Sequence, residues 1–156
     1  MHIRLIAVGA RQPGWVASAF DSYVRRLPGQ WRFQLDTIAP GTRSGDPDTQ
    51  KAIIAEGQKI LRHVKPSERM VLLDERGTQF SSAELGQTLA EWQGGGRDLA
   101  FVIGGPDGVS EECMTRADLR WSLSRLTLPH GLARVLFVEQ MYRAWTLSTG
   151  HPYHRA

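Results

Sequence analysis

Five consecutive apolar residues, Leu99-Ala100-Phe101-Val102-Ile103, run directly into Gly104-Gly105-Pro106-Asp107-Gly108. A strand with no polar side must be covered on both faces. Strands of that kind belong to parallel sheets, whose crossover helices pack on either side. The glycine turn ends the strand and leaves room for a ligand to approach the backbone closely. In open sheets of this architecture, ligands bind beyond the carboxyl ends of the strands.

The rest of the chain supplies the partners such a strand needs. Residues 2–8 are β-prone and predict strand one, followed by a helix after Pro13 with Val16, Ala19, Phe20, Tyr23, Val24 and Leu27 at helical spacing. Pro28-Gly29 ends that helix, and the alternation of Trp31, Phe33 and Leu35 predicts strand two. The breaker-rich residues 39–48 predict a mobile loop, before a helix outlined by Ile53, Ile54, Gly57, Ile60, Leu61 and Val64 and closed by Pro66. Met70-Val71-Leu72-Leu73 predicts a short strand. Ser81 and Glu84 have the spacing of a capping box, and Gly94-Gly95-Gly96 ends the helix that it starts. Ser110 caps a short helix, Trp121–Leu126 predicts the last strand, and Leu132–Leu147 the last helix. Strands alternating with helices imply one α/β domain over 1–156, with a mostly parallel sheet flanked by helices.

Composition narrows the function classes. The 156 residues are 41% hydrophobic and 22% charged, as in a soluble globular domain with a real core. No apolar run approaches the roughly 20 residues that span a bilayer, and the N-terminus lacks the form of a signal peptide. The lone Cys113 excludes an intrachain disulfide and fits a reducing, cytoplasmic location. Residues 1–45 carry a net +4 and residues 115–156 another +4, whereas 46–114 carry −5. Every basic residue in the two positive segments, histidines aside, is Arg, which suits phosphate contacts and points to an anionic partner.

The glycine turn lacks the Gly-Lys-Ser/Thr of a P-loop and the spacing of a dinucleotide fingerprint. No nucleophile elbow and no metal-ligand pattern occurs, so no metal site is expected. Three segments are placed at the ligand-binding edge: Leu72–Glu75, Ile103–Gly108 and Leu123–His130. The last helix has no wholly polar face, with Val135, Leu136, Phe137, Val138, Met141, Tyr142, Trp145 and Leu147 all round it. Such a helix must be buried on all sides, and at a chain end a second subunit is the natural cover, which predicts a homodimer. The tail Gly150-His151-Pro152-Tyr153-His154-Arg155 concentrates two imidazoles, a phenol and a guanidinium, groups that move protons, stack on bases and grip phosphates.

These motifs together carry a resemblance. The Ile103–Gly108 turn, Trp121-Ser122-Leu123-Ser124 with Leu126-Thr127-Leu128-Pro129-His130, Tyr142-Arg143-Ala144-Trp145, and His151-Pro152-Tyr153-His154-Arg155 resemble the SPOUT methyltransferases. Within them they resemble the branch that methylates N3 of a pseudouridine in bacterial large-subunit (23S) ribosomal RNA. Val8-Gly9, Tyr23–Leu27 and Gly57 extend the likeness over nearly the whole chain.

The resemblance implies a deep C-terminal trefoil knot, otherwise almost absent from proteins. It implies S-adenosyl-L-methionine as cofactor, contacted by Leu73, by Gly104 and Gly105, and by Leu123, Ser124, Arg125, Leu126, Thr127 and Leu128. It implies a homodimer acting on ribosomal RNA, not on DNA or a membrane. On this chain His154 is the expected base, with Arg155 or Arg143 stabilising the anion or holding a phosphate and Tyr153 stacking on the flipped base or bonding its edge. The alternative makes the tail a positioning clamp, with solvent taking the proton; whether it serves its own or a partner's cofactor is left open. With no added RNA-binding domain, the chain is expected to meet its substrate on the assembled ribosome, with Arg4, Arg25, Arg26 and Arg32 as candidate contacts. The competing readings are a SPOUT enzyme acting on another RNA such as tRNA, a non-catalytic ribosome-binding protein, and a flavodoxin-like nucleotide binder.

Overall fold

The computed structural model describes residues 1–9 and 11–154, without the side chains of Asp46, Pro47 and His154. Its strands are β1 (Ile3–Val8), β2 (Gln34–Ile38), β3 (Arg69–Gln79), β4 (Leu99–Ile103) and β5 (Leu119–Ser122). They form one sheet in the order β2-β1-β4-β3-β5. Every pairing is parallel. The helices are α1 (Gly14–Val24), α2 (Asp46–His63), α3 (Ser82–Gly95), α4 (Glu111–Arg116) and α5 (His130–Thr149), with 3-10 turns at Gly29–Trp31 and Pro152–His154.

The all-apolar run is β4, and all five of its residues are buried. It sits between β1 and β3, with Leu5 opposite Phe101 and Met70 opposite Ala100. Because side chains alternate across a strand, β4 feeds two cores. Leu99, Phe101 and Ile103 pack with Phe20 of α1, Leu85 and Leu89 of α3, and Phe137, Val138 and Met141 of α5. Ala100 and Val102 pack on the other face with Ile60 of α2 and Cys113 of α4. The capping box of α3 is formed in full: the Ser81 hydroxyl accepts from the Glu84 amide, and the Glu84 carboxylate accepts from the Ser81 amide.

Four sequence expectations change. Trp31 lies in the 3-10 turn, buried in the core, and strand two begins only at Gln34 because Arg32 takes a left-handed conformation (φ 46°). The expected mobile loop 39–48 ends early, as α2 starts at Asp46 with Pro47 in its first turn. Strand three is far longer than its apolar core, continuing through Asp74–Gln79 to pair again with β5 beyond an irregularity. The last strand stops at Ser122, so Leu123–Leu126 leave the sheet.

The all-round apolarity of α5 has its cause within the monomer. The helix lies between α1 and α3 on one sheet face. It approaches α3 so closely that a Cβ on Gly86 would lie 3.4 Å from the Ala144 carbonyl oxygen. Only its outer edge, Leu132 at 39% and Leu136 at 38%, leaves large apolar surface exposed. That edge is the apolar surface of α5 left for a second subunit to cover.

Phe137 is the centre of this face. It is fully buried, with its ring 4.9 Å from Phe101 and 6.1 Å from Trp121. Phe137→Ala is expected to lower unfolding stability by about 3–5 kcal/mol, as measured by urea titration.

Candidate active site

A cavity of about 520 Å³ opens beyond the carboxyl ends of β4 and β5, beside the middle of β3. Its volume is within the roughly 300–1,000 Å³ typical of small-molecule sites. Leu73, Asp74 and Glu75 line it from β3, Ile103 through Val109 from the end of β4, and Leu123, Ser124, Leu126, Thr127 and Leu128 from the segment after β5. His130 and Ala133 reach it from the first turn of α5. The β4 turn is tight: Gly108 N–H bonds the Gly105 carbonyl at 3.1 Å, with Gly108 at φ +90°. A side chain at Gly104 would bring its Cβ within 2.5 Å of Val109.

Polar side chains set the shape of the walls. The Ser122 hydroxyl donates to the Ser124 carbonyl at 2.9 Å, and the Ser124 hydroxyl accepts from the Leu126 amide at 2.9 Å. The Thr127 hydroxyl donates to Glu75 at 2.9 Å, fastening the final segment to β3. On the opposite flank, Glu56 is 2% exposed and accepts from the Gly41 amide and from Arg43, both at 2.7 Å. Arg43 also reaches Asp107 of the β4 turn at 2.5 Å. The loop over 39–45 is thus strapped onto the cavity's glycine turn, and the bonds to Glu56 and Asp107 raise the pKa of Arg43.

His130 sits where β1, β4 and α5 meet. Its Nε2 lies 3.0 Å from Nε of Arg134, one helical turn on. Arg134 is 5% exposed and also donates to the Gly9 carbonyl at 3.4 Å. Burial pushes the pKa of His130 down, the Arg134 charge pushes it further, and a hydrogen bond with the Gly104 backbone opposes both.

The tail forms a second cluster. Tyr153 lies 4.5 Å, ring to ring, from Tyr142. Its hydroxyl is 3.0 Å from Glu139 and 3.2 Å from the Tyr23 hydroxyl. Glu139 also accepts from Arg143 at 2.6 Å, and the Arg143 guanidinium sits 5.1 Å from the Tyr153 ring centre. Burial, then the bonds to Tyr23 and Glu139, raise the Tyr153 pKa, so the phenol stays protonated. Arg26 adds its guanidinium over Tyr23 at 5.4 Å.

The cavity therefore gathers Leu73, Gly104, Gly105, Leu123, Ser124, Leu126, Thr127 and Leu128. Arg125 points elsewhere, into a shallow depression with Arg76, Gly77 and Gln79. Tyr153 and Arg143 do not reach the cavity. Arg143 is thirteen residues along α5 from His130, which at ~1.5 Å per residue is about 20 Å. Arg155 and the His154 side chain lie outside the described residues. Arg4 is no surface contact, because it is tied to Asp36 at 2.7 Å and Glu68 at 2.6 Å. Arg25, Arg26 and Arg32 are exposed. Sequence reasoning missed Arg43, Glu56, Arg134 and Glu139. The i,i+4 spacing of His130 with Arg134 and of Glu139 with Arg143 was the available signal for two of these residues.

Because His130 takes up a proton less readily in the folded chain, the unfolded chain binds more protons below about pH 6.5. Folding stability is expected to fall as pH drops from 7 to 5, and His130→Asn is expected to flatten that slope in denaturant titrations at each pH.

Comparison with known proteins bears on this geometry. The profile described as "Predicted SPOUT methyltransferase" matches residues 1–154. Proteins called Ribosomal RNA large subunit methyltransferase H from Burkholderia vietnamiensis and Burkholderia multivorans are each 48% identical over 156 residues, covering 100% of both chains. Among solved structures, a methylase family protein from Haemophilus influenzae superposes with a TM-score of 0.56 at 13% identity, covering 99% of this chain and 70% of that one. One from Neisseria gonorrhoeae gives 0.52 at 14% identity, covering 90% and 81%. The structural matches share the fold, and the near full-length profile and the relatives at 48% identity settle the kinship: the chain belongs to the SPOUT methyltransferase family, enzymes that take their methyl group from S-adenosylmethionine.

Proposed function

We propose that this enzyme methylates N3 of a pseudouridine in large-subunit (23S) ribosomal RNA on the assembled ribosome, with S-adenosylmethionine held in the cavity beyond β4 and β5. The observation that carries the reading is the convergence of Leu73, the Gly104-Gly105 turn and Leu123, Ser124, Leu126, Thr127 and Leu128 on one cavity. It stands beside full-length similarity to proteins called ribosomal RNA large subunit methyltransferases. The path of the segment after β5 is read as the crossing of the knot that the resemblance implies.

The lining suits that cofactor. Gly104 and Gly105 let the turn pack tightly at the cavity wall, since a Cβ on Gly104 would strike Val109 at 2.5 Å and one on Gly105 would strike Glu56 at 2.9 Å. Leu73, Ile103, Leu123, Leu126 and Leu128 offer apolar walls for a base. Asp74 and Glu75 line the same cavity and complement a cationic ligand. When bound, the cofactor supplies an electrophilic methyl group on a sulfonium. The chain's own part is to hold the acceptor nitrogen in line, exclude water and remove the N3 proton. His154 is the base in this reading. Arg143 and Arg155 stabilise the anion, and Tyr153, kept protonated, donates to the base edge or stacks on it.

Tyr153 packs on Tyr142 and Arg143 near the far end of α5, about 20 Å of helix from the cavity of its own chain. The reading therefore includes a homodimer. Leu132 and Leu136 are exposed on the first half of α5. The start of α1 packs against that half, where a Cβ on Gly131 would meet Val16 at 2.9 Å, and the neighbouring Trp15 is 59% exposed. A two-fold axis at this edge sets two α5 helices antiparallel and brings each partner's tail to the other chain's cavity.

The test is transfer from isotopically labelled S-adenosylmethionine to ribosomes lacking the modification, with free ribosomal RNA and tRNA in parallel and the nucleoside identified by mass spectrometry. Label in a methylated pseudouridine from ribosomes alone is the expected result. Label in tRNA would replace the substrate, and cofactor binding without label in any RNA would overturn the catalytic reading.

A further inference from the structure

We propose that Arg134 locks His130 as a neutral imidazole with its proton on Nδ1, so that this cavity-lining ring is a hydrogen-bond donor and not the base of the reaction. A guanidinium has five N–H donors and no acceptor. His130 Nε2 lies 3.0 Å from Arg134 Nε, so Nε2 must accept with its lone pair. That pair is then unavailable for a substrate proton, and the ring's one proton sits on Nδ1. This is the minor tautomer of a free imidazole side chain in water.

Arg134 itself calls for an explanation. It is 5% exposed, and among the described residues it has no carboxylate partner. A buried cation without a counter-charge is costly unless something else uses it. Its bonds go to the imidazole and to the Gly9 carbonyl at 3.4 Å. Gly9 is bare where they meet, at φ +150°, and a Cβ there would lie 3.1 Å from His130 Nε2 and 3.4 Å from Arg134. The junction at the end of β1 therefore leaves room for this pair.

The occupied Nε2 leaves Nδ1–H as the ring's remaining donor. The ring and Gly104 line the same cavity. The chain of bonds runs from Gly9 through Arg134 to His130, and Arg134 acts as a positioning residue for that ring. Arg134 comes from the ring's own helix. Asp107 on the β4 turn is held by Arg43, and Asp74, Glu75 and Arg76 line the cavity from β3. The consequence for the reaction is that the proton must leave through another group, which agrees with a base supplied by the tail. The functional half of this inference rests on the cavity being the cofactor site; the tautomer does not.

The experiment is nitrogen-15 NMR of the full-length, ligand-free protein labelled at histidine, near pH 7, with cofactor affinity measured by calorimetry. The wild type is expected to show His130 protonated at Nδ1 and not at Nε2. Arg134→Met is expected to shift the ring toward the Nε2 tautomer, and Arg134→Lys, which still donates, to retain Nδ1–H. His130→Asn, whose amide donates from the Nδ1 position, is expected to bind S-adenosylmethionine within about threefold of wild type, and His130→Ala about tenfold more weakly. An Nε2–H or doubly protonated ring in the wild type would overturn the proposal whether or not the cofactor binds. Undiminished affinity in His130→Ala would overturn the role of the ring at the site. An Nδ1–H ring in a protein that binds no cofactor would overturn the reading of the cavity itself and leave the tautomer standing.

Discussion

The length of α5 decides where function can sit. Its first turn supplies His130 and Ala133 to the cavity, and its last turns hold Tyr142, Arg143 and the returning tail. A helix is a rigid spacer, so about 20 Å separates the two groups however the rest of the chain packs. Both ends carry groups capable of chemistry. One end is a cavity with an apolar lining and an acidic lip. The other is a cluster of phenols and guanidinium around Glu139. The exposed apolar edge at Leu132 and Leu136 lies between them. A symmetric pairing of helices turns this separation into proximity, and the proposed reaction depends on it.

Around the cavity, buried charge is placed where backbone must be held. Glu56 collects Gly41 and Arg43, and Arg43 carries the hold to Asp107. Arg134 carries a second hold to Gly9 and His130. The first fixes the turn Gly104–Gly108, and the second fixes the end of β1 against the first turn of α5. Such groups add little net stability when a hydrophobic replacement would pack as well. Their value here is geometric, because a glycine-rich turn has few side chains with which to fix its own position.

The fold was legible in the sequence to the extent that hydrophobic period reports local structure. The all-apolar Leu99–Ile103 gave the buried central strand, and Ser81 with Glu84 gave a helix start that the structure reproduces atom for atom. The tail of β3 was not legible, since Asp74–Gln79 is polar and pairs only because β5 lies beside it. The converse holds for Leu123–Leu126, apolar enough for a strand yet bent away by the hydroxyls of Ser122 and Ser124. The cavity residues followed from a family resemblance combined with the rule for strand ends. The distance of Tyr153 and Arg143 from that cavity was invisible, because order along a chain says nothing about which end of a helix a motif faces. The apolar girth of α5 looked like a subunit interface and is mostly an interface with α1 and α3.

The most direct test of a site shared between two chains uses two disabled variants. Gly104→Val forces a side chain against Val109 in the turn that lines the cavity, and Tyr153→Ala with His154→Ala removes the tail's imidazole and phenol. Each alone is expected to be inactive in methyl transfer to ribosomes. If cavity and tail come from different subunits, mixing the two with subunit exchange restores about a quarter of the wild-type activity, in the heterodimers that pair one intact cavity with one intact tail. No recovery from well-folded, exchanged mixtures would contradict the account and place the whole site within a single chain.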